Sequence, residues 1–161
     1  MGRKIDSRRV RAEIESAFRI APYPGDDYLV YDASYPDVAE TRDSFRGRAW
    51  RDLDVNFLRW NVEALGFLTP EGLRYYLPAF MIVSMLEPKR ADVIPLSLCL
   101  SLTPPKSDGS DIEEFRKRMA VFDSVQKTAI REFLTYAQEH LGIGDAGHAL
   151  HRFWNQAGRP R

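Results

Sequence analysis

The 161-residue chain predicts a mainly α fold, an irregular orthogonal bundle of about seven helices with at most one or two short strands. Three observations carry that expectation. Apolar residues recur at spacings of three and four in most segments, and short Gly/Pro joints separate those segments. The third is the run from Phe67 to Pro105, FLTPEGLRYYLPAFMIVSMLEPKRADVIPLSLCLSLTPP, which holds almost no charge between Arg74 and Glu87 or between Asp92 and Lys106. In a chain with 23 basic and 23 acidic residues, two such stretches call for burial and form the spine of the fold.

Taken in order, Val10, Ile14, Ala17 and Phe18 share one helix face that Asp6 or Ser7 can cap. Ala21 to Asp27, APYPGDD, ends it, because Pro24 fixes φ and Gly25 supplies the positive φ of a turn. Tyr28 to Tyr31 reads as a short strand or an extended segment. Pro36 opens a short helix carrying Val38 and Phe45, closed by Gly47. Leu53, Phe57, Trp60 and Ala64 form the next stripe, ending before Gly66. Thr69 and Pro70 are a cap and a first-turn proline for the helix running towards Glu87, and Pro78 predicts a kink or break inside it.

Leu96 to Leu102 alternates apolar and polar residues and reads as a half-buried strand, although its lead-in, Ala91 to Pro95, equally suits the start of a helix. Thr103 to Gly109 is a loop. Ser110 and Glu113 have the spacing of a capping box, with Ile112, Phe115, Met119 and Phe122 facing one way behind it. Asp123 or Ser124 caps the last long helix, whose stripe is Val125, Ala129, Phe133, Ala137 and Leu141 and whose stop is Gly142. Leu150, Phe153 and Trp154 dock the C-terminal end on the body. The expected arrangement is one domain, residues 1–161, with a core built around Leu73, Leu77, Phe80, Phe115, Phe133 and Leu134.

Composition narrows the function classes. With 44% hydrophobic and 12% aromatic residues, the chain fits a filled core rather than disorder. Zero formal charge disfavours a dedicated nucleic-acid binder, which needs a basic surplus against phosphates. Cys99 is the only cysteine, so no intrachain disulfide forms, and a reducing compartment is expected. The N-terminus lacks the apolar core of a secretory signal, and the uncharged stretch from Tyr75 to Leu86 is too short to span a bilayer. A cytoplasmic protein, monomeric or a small oligomer, is the expectation.

Nothing among the motifs encodes a reaction: G-x-S-x-G, P-loop, G-x-G-x-x-G and H-E-x-x-H do not occur. Cys99 has apolar neighbours that raise a thiol pKa, so it reads as inert. His148 and His151, with Asp145 and His140 nearby, are metal-ligand types, but more often such histidines are partly exposed side chains near a terminus. Asp26 and Asp27 on the Pro-Gly turn can hold a divalent cation; the commoner role is one carboxylate on turn amides and one in water. Arg3, Lys4, Arg8, Arg9 and Arg11 with Arg152, Arg159 and Arg161, beside Trp154, could form a basic patch with a stacking aromatic, although a solvated helix face balanced by Asp6, Glu13 and Glu15 is the commoner reading. Arg46, Arg48 and Arg51 around Trp50 suit a carboxylate site or simply an anchored tryptophan.

The set Tyr23, Tyr28, Tyr31 and Tyr35, interleaved with Asp26, Asp27, Asp32 and Asp37, has the composition of a protein-binding surface. Tyrosine offers contact area with a polar tip, although tyrosines lying over the core with their hydroxyls in water are as common. The binding residues expected are Tyr23, Asp26, Asp27, Tyr28, Tyr31 and Asp37, with no catalytic residue, metal or cofactor.

PYPGDDYLV at 22–30, SFRGRAWRDL at 44–53, the run LTPEGLRYYLPAFMIVSMLEPKRADVIPLSLCLSLTPP at 68–105 and AIREFLTYAQEHL at 129–141 together resemble an uncharacterised bacterial family, DUF6714. The resemblance covers most of the chain and implies a compact, mostly helical domain without a known activity. Members often carry cysteines where this chain reads DASYPDVAE (32–40), so no metal or redox role attached to them transfers. The functional expectation is a small non-enzymatic interaction protein, of the immunity or accessory kind found beside a toxin or defence gene. The alternatives are a metal-dependent enzyme using Asp26 and Asp27 or the C-terminal histidines, and a nucleic-acid-associated protein using its basic ends.

Overall fold

The computed structural model describes residues 5–107 and 109–156, and among these the chain forms ten α-helices and no sheet. Helix α1, Ser7–Ala17, is capped by the Asp6 carboxylate, which accepts from the Arg8 amide at 3.0 Å. Its buried face is the expected Val10, Ile14 and Ala17, followed by Phe18. Helix α2, Pro36–Phe45, starts on its proline and is followed by Gly47 at φ 72°, a value that favours glycine.

The expected single stripe over residues 53–64 divides into α3, Val55–Trp60, and α4, Ala64–Phe67. At the division, the Asn61 side chain donates to the Phe57 carbonyl at 2.8 Å, and the Asn61 backbone N–H is shared between Phe57 O and Leu58 O at 3.1 and 3.2 Å. Trp60 is 88% exposed rather than core, and Leu58 takes the buried position.

Helix α5, Pro70–Leu86, is the centre of the molecule. Thr69 caps it by accepting from Gly72 N at 3.0 Å. The helix runs through Pro78 without a break. It is apolar nearly all round, as a helix buried on every side must be. It packs against α1 and α3 and against four later helices. Those last are α6, Pro88–Ala91, α7, Ile94–Ser101, α8, Ser110–Met119, and α9, Ser124–His140.

Helix α7 decides between the strand and the helix, both of which suited Leu96 to Leu102, in favour of the helix. The alternating run also satisfies i, i+4 spacing, and Ile94, Leu98, Cys99 and Leu102 are buried while Leu96 and Leu100 are exposed. Backbone groups close within the helix, with Ser97 N on Val93 O at 3.0 Å and Leu102 N on Leu98 O at 3.1 Å. Of the two readings of Tyr28 to Tyr31, a short strand or an extended segment, the strand reduces to one bridge, Val30 to Leu68.

The cap of α8 differs from expectation, whereas α9 is capped by Asp123 as expected. Gly109, at φ 99°, precedes α8, which places Ser110 inside the first turn, where it makes no capping bond. The capping box forms instead on α9. Asp123 accepts from Gln126 N at 2.8 Å while the Gln126 side chain accepts from Asp123 N at 3.1 Å. On α9 the buried face is Ala129, Ile130, Phe133, Leu134 and Ala137, and Val125 is 61% exposed. Helix α10, Gly144–Ala149, continues as a π-helical turn, Leu150–Trp154, and Trp154 is fully buried with its indole N–H on Leu102 O at 2.7 Å. Of the expected core, Leu73, Leu77, Phe80, Phe133 and Leu134 are fully buried; Phe115 is half-buried and packs edge-on against Phe153.

Candidate functional site

The segment from Tyr23 to Asp37 lies across the N-terminal end of α5, and backbone contacts fix it there. The Thr69 hydroxyl donates to Tyr28 O at 2.6 Å, Thr69 N to Leu29 O at 2.9 Å, and Tyr31 N to Phe67 O at 3.1 Å. Gly72 makes this approach possible: a Cβ there would stand 2.5 Å from the Leu29 carbonyl oxygen. Leu29 and Val30 are buried beneath the segment, so its outer residues ride on an anchored backbone.

Tyr23 and Asp26 meet directly. The half-buried Tyr23 hydroxyl donates to the Asp26 carboxylate and accepts from Gly47 N at 2.9 Å. Burial, and then the Asp26 carboxylate, raise the Tyr23 pKa. Behind it runs a chain of edge-to-face rings, Tyr23 on Tyr75, Tyr75 on Tyr76 and Tyr76 on Phe45. Tyr23 and Asp26 therefore hold the turn as well as contributing to its surface.

Asp27 is exposed, and Tyr28, Tyr31 and Tyr35 are 70%, 54% and 64% exposed. Asp32 accepts from Ser34 N at 3.0 Å, and the Ser34 hydroxyl and amide hold its carboxyl below the usual range. Asp37 lies in the first turn of α2, where the helix dipole favours a carboxylate. Tyr31 is backed by Arg118 of α8, which sequence reasoning missed. Arg118 donates to the carbonyls of Leu65 and, at 3.2 Å, Leu68. Burial lowers its pKa, opposed by the Tyr31 hydroxyl beside it. In the sequence Arg118 sits in the charged run RKR and looks like any solvated side chain.

The other candidates separate. His148 and His151 are exposed. His148 and Asp145 share a cleft of about 360 Å³ with the cations Lys106 and Arg152 rather than with further metal donors. No group of three or more His, Cys, Asp or Glu able to hold one metal ion occurs among the described residues. Cys99 is fully buried, and burial together with the Asp145 charge pushes its thiol up to about 12. Of the basic ends, Arg3, Lys4, Arg159 and Arg161 lie outside the described residues. Arg9 pairs with Glu132 at 2.9 Å, Arg11 with Glu15 at 3.0 Å, and Arg152 donates to Pro104 O and Pro105 O. Trp154, fully buried, has no face on which a base could stack. Trp50 is anchored in the core at 5% exposure, with the Arg51 guanidinium 4.4 Å from its ring centre.

The fold and this face define a mainly helical protein with a tyrosine- and aspartate-bearing surface on an anchored backbone. Residues 23–158 match the model of a family of unknown function, DUF6714, and the chain belongs to that family. No curated protein and no solved structure matches it. No helix among the described residues is long and apolar enough to cross a membrane.

Proposed function

We propose that this protein is a small, non-enzymatic bacterial interaction protein of the cytoplasm, of the immunity or accessory kind, which binds a basic partner protein through Tyr23 to Asp37. The observation that supports this reading most is the exposure of Tyr28, Tyr31 and Tyr35 among Asp26, Asp27, Asp32 and Asp37, all exposed, on an anchored backbone. Large exposed aromatics are the residues that carry interface energy when desolvated. The carboxylates around them steer a cationic partner. An anchored segment loses less ordering entropy on binding.

Asp27 and Tyr28 separate binding from folding, because Asp26 also holds Tyr23. The test is a binding titration against the product of the adjacent gene at low and high salt, with Asp27→Lys/Tyr28→Ala beside the wild type. The expected result is an affinity loss of about tenfold or more and a weaker salt dependence, with the melting temperature nearly unchanged. Unaltered affinity would move the interface elsewhere.

A further inference from the structure

The geometry points to a small carboxylate-binding cleft between α1, the 3₁₀ turn Trp50–Asp52 and α5, with the Arg51 guanidinium as its head group and an aliphatic floor. This cleft involves none of the residues of the tyrosine and aspartate face, and the inference stands apart from the function proposed for that face. The cleft encloses about 210 Å³. That is below the roughly 300 Å³ at which sites for drug-sized ligands begin, so its occupant is a short acid or the last residue of a chain.

Arg51 is an exposed side chain that rests on Trp50. Its guanidinium stacks 4.4 Å from the centre of the buried Trp50 ring, and among the described residues no carboxylate lies within ion-pair distance of it. Stacking occupies the face of the guanidinium and leaves its edge, the five N–H donors in a fixed fork, for a planar oxyanion. Arg11 and Glu15 both line the same cleft, and Arg11 gives only its Nε to Glu15, at 3.0 Å. Two guanidinium groups against one carboxylate leave the cleft mouth one positive charge in excess. The floor is Leu53, Ala79, Ile82 and Val83, which suits a branched or short aliphatic tail and gives no partner to a second polar group. A divalent phosphate would meet a single surplus charge and an apolar wall. A monocarboxylate with a few apolar carbons matches both the charge and the floor.

Two sources supply that chemistry, a free short-chain acid and the C-terminal leucine or valine of a peptide, and the test distinguishes them. The probes are 3-methylbutanoate, its uncharged amide, and a tripeptide ending in leucine as the free acid and as the C-terminal amide. The readout is the ¹H–¹⁵N correlation spectrum of the full chain, following the Arg51 Nε–H and Trp50 indole N–H signals. Saturable shifts at both signals are expected with an acid and not with the matching amide. A response to 3-methylbutanoate assigns the small-molecule source, and a response to the tripeptide acid alone assigns the chain terminus. Arg51→Gln should weaken the response by about tenfold or more, the usual loss when a charged hydrogen-bonding group is removed. Arg116→Gln, on the exposed face of α8, should leave it intact. No saturable shift with either acid, equal shifts with acid and amide, or an undiminished response in Arg51→Gln would overturn the assignment.

Discussion

Tyr76 shows how much one hydroxyl can hold. Its ring is fully buried on α5, and its O–H lies 2.9 Å from Phe45 O and 2.8 Å from Arg48 O. Those carbonyls belong to the end of α2 and the turn after it, where helical acceptors run short of partners; Phe45 O also accepts from Arg48 N at 3.0 Å. One proton serves two acceptors, and burial keeps the phenol protonated far above its ordinary range. Tyr76→Phe removes the donor and leaves two carbonyl oxygens short of it while the ring stays in place. The expected cost is ~1–3 kcal/mol, read as a shifted midpoint in urea unfolding with an unchanged slope. A midpoint equal to that of the wild type would mean that water replaces the hydroxyl at the Arg48 carbonyl and that the Arg48 amide suffices for Phe45 O.

Among the elements, α9 gives the sharpest contrast between neighbouring positions. Phe133 is fully buried and Val125 is 61% exposed, although both fall on the stripe that spacing alone draws. Phe133→Ala should cost ~3–5 kcal/mol through lost burial and the cavity left behind. Val125→Ala should change stability by less than about 0.5 kcal/mol. Chemical denaturation of both variants checks the pair. Legibility divided along the same line. Caps and starts that depend on two or three adjacent residues, Asp6, Pro36, Thr69 with Pro70, and Asp123, were readable because their chemistry is local. The register of α9, the helix at Ile94–Ser101 and the interruption after Trp60 depended on which face met α5, and an alternating Leu/Ser run satisfies both periods. The candidate face was half readable. Its tyrosines and aspartates show in the composition, whereas Thr69 and Arg118, which hold it in place, sit 41 and 53 positions away from carbonyls that they reach.

For the molecule as a whole, the buried acids set a limit at high pH. The Cys99 thiol is pushed from an ordinary value of 9.0 up to about 12 by burial. The native state therefore keeps a proton that the unfolded chain releases from about pH 9 upward. Stability from this source is whole below the unfolded value and is lost as pH rises towards the folded one, by ~1.4 kcal/mol per pH unit within that window. Tyr76, raised from an ordinary 10.0, adds to the decline above about pH 10. Unfolding free energies measured from about pH 8 to 10.5 should fall with increasing slope, and Cys99→Ala should remove the portion that begins near pH 9. An unchanged profile in that variant would show that the thiol titrates alike in both states.

The place of Cys99 also makes the molecule its own clock. Its sulfur lies fully buried on α7 in the uncharged spine, so a thiol reagent reaches it only when α7 separates from the helices packed on it, α5 and α10 among them. If reclosing outpaces reaction, the modification rate of the native protein is the intrinsic rate for an exposed thiol multiplied by the fraction of time the spine stands open. A loss of protection in Phe133→Ala as large as its loss of global stability would mean that the spine separates only when everything does. A smaller loss would reveal a route by which α7 detaches while α9 stays folded. A single sulfur atom, without any added label, thus counts excursions too rare for spectroscopy to register.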